Sequence, residues 1–125
     1  MLIKAFHASP VRIKEFEIPY AGLHFGDLPA ALQAVERKLE YSNTDTFYLH
    51  EVVLDISNVE DVFDSGDDWR DDLDGDTSKV FSYTNKYEPS NAKSYVMFDT
   101  KFINKVMRVS KESLIAYEDE LNKFF

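Results

Sequence analysis

The sequence contains no cysteine, and its 125 residues include only four glycines and four prolines. Without cysteine there are no disulfides and no thiolate metal ligands, and a reducing compartment is compatible. So few glycines and prolines exclude a low-complexity chain. No apolar run approaches the roughly 20 residues that a membrane span requires. The start, "MLIKAFHASP", has too short an apolar stretch for a signal peptide. Also missing are a glycine-rich phosphate loop and a serine-centred nucleophile elbow. These absences predict a cytoplasmic protein with no membrane attachment.

What is present is enough for a core. Hydrophobic residues make up 44% and aromatics 14%, with ten Phe and seven Tyr. A chain of this length is the size of one domain, residues 1–125, which buries roughly two-thirds of its unfolded surface.

The net charge of −9 is concentrated in one place. Residues Glu60 to Asp76 hold nine acids, among them Asp67, Asp68, Asp71 and Asp72, against the single base Arg70. The remainder is close to neutral, with 14 acids and 13 bases. A field of that sign repels phosphate backbones, which argues against direct nucleic-acid binding. It suits docking on a basic protein surface, with Asp67, Asp68, Asp71 and Asp72 as the partner-binding residues; a solvated acidic loop is the plainer alternative.

Period-two runs and turn signals predict "LIKAFH" (2–7) as a first strand closed by Ser9-Pro10. "VRIKEFEI" reads as a short strand or an extended connection. Asp27 is suited to cap a helix with Pro29 in its first turn. Leu28, Leu32, Val35 and Leu39 then recur on one face. "TFYLHEVVLDI" (46–56) reads as a central strand, the acidic segment as a loop, and "KVFSYT" (79–84), "SYVMFD" (94–99) and "NKVMRV" (104–109) as further strands. Ser110 is placed to cap a last helix carrying Leu114, Tyr117, Leu121 and Phe124 on one side. Strands and helices in this order predict an α+β domain with one central and one C-terminal helix.

Metal chemistry has little support. The three histidines, at positions 7, 24 and 50, are far apart in the sequence. "DDLDGDTSKVF" has its glycine misplaced for a calcium-binding EF-hand loop. No metal is expected.

Three stretches remain: "FHASP", "AGLHFGDLPAALQAV" and "YTNKYEPSNAKSYVMFD". Singly, His7 reads as a turn residue, His24 as a half-buried histidine, and Glu88 as a surface acid. In this order they resemble the ADP-ribosyltransferase superfamily, specifically its small phage and bacterial members. In the poly(ADP-ribose) polymerase branch a first strand ends in His-Gly-Ser, Gly-Ile-Tyr-Phe precedes a helix, and a late strand reads Glu-Tyr-Ile-Val-Tyr-Asp. "HAS", "GLHF" and "SYVMFD" stand in those places, over about residues 3 to 103. The resemblance implies a split β-sheet core whose cleft holds NAD as substrate.

It also implies roles for particular residues. His7 matches the histidine that holds the adenosine-side ribose, and Ser9 matches the serine that contacts the nicotinamide carboxamide. Ala8 stands where a glycine pairs its backbone with that group. His24, with Phe25 beside it, stands where a tyrosine stacks on nicotinamide. Ser94 occupies the polymerase glutamate position, so the catalytic acid implied is Glu88, six residues earlier, where the small phage members look similar. Cleavage of the N-glycosidic bond creates oxocarbenium character that a carboxylate stabilises.

The implied activity is mono-ADP-ribosylation of a host or partner protein. The small phage members include inhibitors of bacterial defence systems, anti-CRISPR proteins among them. Because Ala8, His24 and Ser94 depart from the polymerase pattern, the alternative is an inactive protein of the same fold. It would block a basic nucleic-acid-binding partner through its acidic segment.

Overall fold

The computed structural model describes residues 1–19, 22–32, 34, 45–62, 73, 75–84 and 93–117. In chain order the strands are β1 (Leu2–Ser9), β2 (Leu23–Gly26), β3 (Thr46–Asp55), β4 (Val59–Asp61), β5 (Val80–Thr84), β6 (Lys93–Met97) and β7 (Ile103–Ser113). They form one mixed sheet of seven strands in the order β4-β5-β6-β2-β1-β3-β7. A helix, α1, begins at Leu28 and is described over 28–32 and at 34. The architecture is α+β and mostly β. Among the described residues, no helix is long and apolar enough to cross a membrane.

Strand β3 shows why the sheet forms here. Its residues alternate, so that Phe47 and Leu49 point to one face and His50, Val52 and Leu54 to the other, all buried. β1 pairs antiparallel with it along its full length, from Leu2 opposite Asp55 to Ser9 opposite Tyr48. On one face, Ala5, Leu23, Phe25, Val52, Leu54, Val80 and Met97 form a core covered by Phe16, Ile18 and Phe102. On the other face two clusters form. Ala8, Phe47 and Leu49 lie under Ala31 and Leu32 of α1. Phe81, Tyr83 and Val96 pack with Val62, Leu73 and Phe98. Each fully buried aliphatic or aromatic side chain contributes about 1.5–3 kcal/mol of transfer free energy.

Asp27 caps α1 as its sequence context predicts. Its Oδ1 accepts from the Ala30 N–H at 3.0 Å, and its C=O accepts from the Ala31 N–H at 3.0 Å. Its other carboxylate oxygen accepts from the Lys93 N–H at 3.1 Å, and its own N–H donates to the Lys93 C=O at 3.1 Å. One residue therefore fastens the start of the helix to the start of β6. Leu28 and Leu32 face the core as expected, whereas Val35 and Leu39 lie outside the described residues.

Of the two readings of "VRIKEFEI", the structure takes the connection; residues 10–19 form no strand and run over one sheet face. Two sequence expectations change. First, Glu60 and Asp61 are not in a loop. They lie in β4, which pairs parallel with β5, and Val59, Glu60 and Asp61 stand opposite Val80, Phe81 and Ser82. Second, Ser110 does not cap a helix. It sits inside β7 opposite Leu49, and a short 3-10 turn, Leu114–Tyr117, follows. Most backbone groups of a ten-residue central strand require partners, and β7 supplies them as far as Thr46 opposite Ser113. That demand outweighs a local helix signal. β7 is an edge strand, and register shifts opposite Glu51/Val52 and Val53/Leu54 together with Lys105, Arg108 and Lys111 blunt it. Residues 118–125, with Leu121 and Phe124 of the expected C-terminal helix, lie outside the described residues, whereas Leu114 and Tyr117 lie in the 3-10 turn.

Gly26 sits where β2 meets α1, and a Cβ there would lie 2.7 Å from the Ala30 Cβ. Gly26→Ala therefore forces the helix off the sheet. We expect a loss of about 1–3 kcal/mol in stability by chemical denaturation, with an unchanged transition slope.

Candidate functional site at the junction of β1 and β2

The sheet is tied together unevenly. β1 pairs with β3 over eight positions, but with β2 at one, Phe6 opposite Gly26. Beyond that pair the ends of β1 (His7–Ser9) and β2 (Leu23–His24) continue with side-chain bonding in place of a regular ladder. The His7 ring supplies it: the His24 carbonyl accepts at 2.7 Å from Nδ1, which must therefore carry the proton. The seven strands remain one sheet, and β1/β2 is its shortest register, a seam with His7 beside it.

Pleating sets which side chains face each other. His7 and Ser9 point to the same face as Ala5, and on that face His7 is surrounded by rings. Phe16 meets it edge-on at 5.6 Å, Phe25 lies tilted at 5.5 Å, and His50, directly opposite in register, stands at 6.1 Å. Ser9 is 7% exposed and its Oγ accepts from the Val11 N–H at 3.2 Å, which leaves the serine O–H able to donate.

His50 is fully buried, and its protonation pattern follows from its partners. Nε2 accepts from the Ile13 N–H at 3.0 Å, so it carries no proton. Nδ1 then bears the hydrogen and donates to the His7 carbonyl at 3.0 Å. The ring is neutral and joins the connection 10–19 to β1.

His24 points to the opposite face. Its Nδ1 shares a hydrogen bond of 2.8 Å with the Tyr83 hydroxyl, and the two rings meet edge-on at 5.9 Å. His50, His7, His24 and Tyr83 are therefore linked in a single chain of hydrogen bonds that passes through the sheet. The three histidines, distant in sequence, are neighbours in space. They do not make a metal site; among the described residues, no group of three or more His, Cys, Asp or Glu side chains is arranged to hold an ion.

Of the residues singled out in the sequence, His7, Ser9 and Phe25 share one face at the seam. The Ala8 side chain and the His24 ring are on the other, with Ala8 packed against Ala31 and Leu32. Ser94 is buried, opposite Gly26 and Tyr83. Glu88 and the four aspartates Asp67, Asp68, Asp71 and Asp72 lie outside the described residues. The segment that contains Glu88 is bounded by Thr84 and Lys93, which pair directly across β5 and β6.

Those same two residues line a cavity of about 160 Å³, with Asp61, Val62, Ser82 and Tyr83 completing its wall. The Ser82 hydroxyl donates to the Asp61 carboxylate. On β6, burial first, then the carboxylates of Asp27 and Asp61, push the Tyr95 phenol up from its ordinary value and keep it protonated.

His50, Tyr83 and Phe16 were not marked as site residues by the sequence. His50 carried a signal: it is the imidazole in the series Tyr48, His50, Val52, Leu54, which is otherwise aromatic or aliphatic. Phe16 carried none, since its position depends on the path of an irregular connection.

Comparison with family models, with curated proteins and with solved structures finds no match to this chain.

The hydrogen-bond pattern fixes one checkable property. Long-range ¹⁵N–¹H correlation should show His50 as the neutral Nδ1–H tautomer at neutral pH. An Nε2–H tautomer or a charged ring would contradict the geometry.

Proposed function

We propose that this chain is an ADP-ribosyltransferase-like protein that takes NAD at the β1/β2 seam and transfers ADP-ribose to a protein. The observation that carries this reading is the one-pair ladder between β1 and β2, with the His7 ring bonded to the His24 carbonyl just beyond it. A divided sheet is what the resemblance implies for a dinucleotide cleft, and the histidine of "FHASP" stands at the division. His7 is the residue that would hold a ribose hydroxyl of the adenosine side. The Ser9 O–H would donate to the carboxamide oxygen. Because the His24 ring faces away, Phe25 of β2 is the aromatic surface beside His7 that would contact the nicotinamide ring.

The strand order also supports Glu88 as the acid. β6 runs about 10 Å from β1, two interstrand spacings away, and Glu88 lies within the eight-residue segment between the paired Thr84 and Lys93. As the bond from ribose C1 to nicotinamide breaks, its electron pair leaves with nicotinamide and positive charge grows on the sugar. The Glu88 carboxylate stabilises that charge, and an acceptor side chain of the target forms the new bond to C1 and gives up its proton.

A second reading has its own support. Ala8 and Ser9 are 2% and 7% exposed, and the His24 ring is bonded to Tyr83. A pocket so covered suits a protein that has kept the fold without transfer. It would block a basic nucleic-acid-binding partner through Asp67, Asp68, Asp71 and Asp72, as in a phage-encoded inhibitor of a bacterial defence system, acting in the host cytoplasm.

Incubation with labelled NAD and a bacterial lysate separates the two. The transferase reading expects a discrete labelled protein, and Glu88→Gln should lower labelling by about 10²-fold or more while NAD binding persists. Tight capture of a partner without labelling supports the blocker, and full labelling by Glu88→Gln refutes the assigned acid.

A further inference from the structure

We propose that residues 10–19 form a strap latched over the β1/β2 seam by His50, and that this histidine is a positioning residue governing access to His7 and Ser9. The ligand part rests on the NAD reading, whereas the latch does not.

The strap is held by few polar contacts. Among the described residues, its hydrogen bonds are those of Val11 N–H to Ser9 Oγ, Ile13 N–H to His50 Nε2, and Gly22 N–H to the Pro19 carbonyl. The first and last are local turns. Only the Ile13–His50 bond crosses to a distant element, 37 residues away. Apolar packing adds the rest, with the Phe16 ring 5.6 Å from those of both His7 and His50 and 5.4 Å from Phe25.

What lies beneath is what a ligand would need. Ser9 is 7% exposed, and the acceptor side of its hydroxyl is taken by the strap's own Val11. The Phe16 ring stands on the edge of His7. A dinucleotide that reaches both residues must displace the strap, and the polar contact resisting that is the acceptor nitrogen of His50. The same imidazole grips the His7 carbonyl through Nδ1, so the latch and the orientation of His7 are set by one ring.

Arg12 and Lys14 are exposed in the strap and provide the readout by limited trypsin digestion of the full chain under native conditions. His50→Phe keeps the ring volume and removes the acceptor. Cleavage at Arg12 and Lys14 should rise about tenfold, the factor that loss of one hydrogen bond of ordinary net strength allows. His50→Gln, whose amide can both accept and donate, should return cleavage to near the wild-type rate. Equal cleavage of wild type and His50→Phe overturns the latch, as does His50→Gln behaving like His50→Phe.

Should His50→Phe fail to fold, amide exchange in the wild type decides. The Ile13 amide is expected to exchange at least about tenfold more slowly than those of Lys14 and Glu15, and equal rates overturn the proposal. Saturating NAD should raise strap cleavage in the wild type. If NAD has no effect while the His50→Phe result holds, the latch stands and the NAD reading falls.

Discussion

Between β1 and β2 the backbone ladder is one residue pair long, and the His7 ring takes the place of the next strand-to-strand bond. Most of the rest follows from this constraint. A backbone carbonyl at a buried seam must be satisfied, and an imidazole N–H does so from a side chain, which allows the two backbones to part. The β1/β2 register is accordingly the shortest in the sheet. Its three-ring surround of Phe16, Phe25 and His50 keeps His7 in one orientation. Gly26 and Asp27, just on the paired side of the seam, bind the helix and β6 close to the one remaining backbone pair. A site placed there is bounded by rigid strands on both sides, the setting in which a ligand-orienting side chain is most effective.

Five of the seven strands, β1, β3, β5, β6 and β7, were legible in the sequence because their cues are local, whereas the short β2 and β4 were not. Alternation at period two in "TFYLHEVVLD" gave both the strand and its two faces, and Asp27 before Leu28 and Pro29 gave the start of the helix. The errors share a cause. Ser110 looks like a helix cap, and only the unpaired edge of β3 makes it a strand residue. Glu60 and Asp61 look like loop acids, and only parallel pairing with β5 draws them into the sheet. Non-local hydrogen-bond demand, which no window of sequence contains, decided each case.

The candidate site divides in the same way. His7, Ser9 and Phe25 could be singled out from the order of short motifs, and they lie on one face at the seam. His24 could be singled out too, but strand pleating turns its ring to the other face and into the hydroxyl of Tyr83. Its motif position shows which strand it occupies and says little about which side of that strand matters. His50 was visible only as a polar residue in an apolar series, and its role depends on Ile13, in a connection whose path no periodicity describes. The concentration of acids between Glu60 and Asp76 remains a feature of the sequence that any partner would feel as a field, whichever reading of the site holds.

The central claim is that the seam around His7 receives NAD, and the chain's three histidines offer a direct probe. Titration with NAD to about millimolar concentration, followed through the imidazole carbon-bound proton signals, should shift the His7 and His50 resonances along one saturable curve. His24, bonded to Tyr83 on the far face, should move less. If all three sets of signals stay where they are at saturating NAD, the seam is not a dinucleotide site.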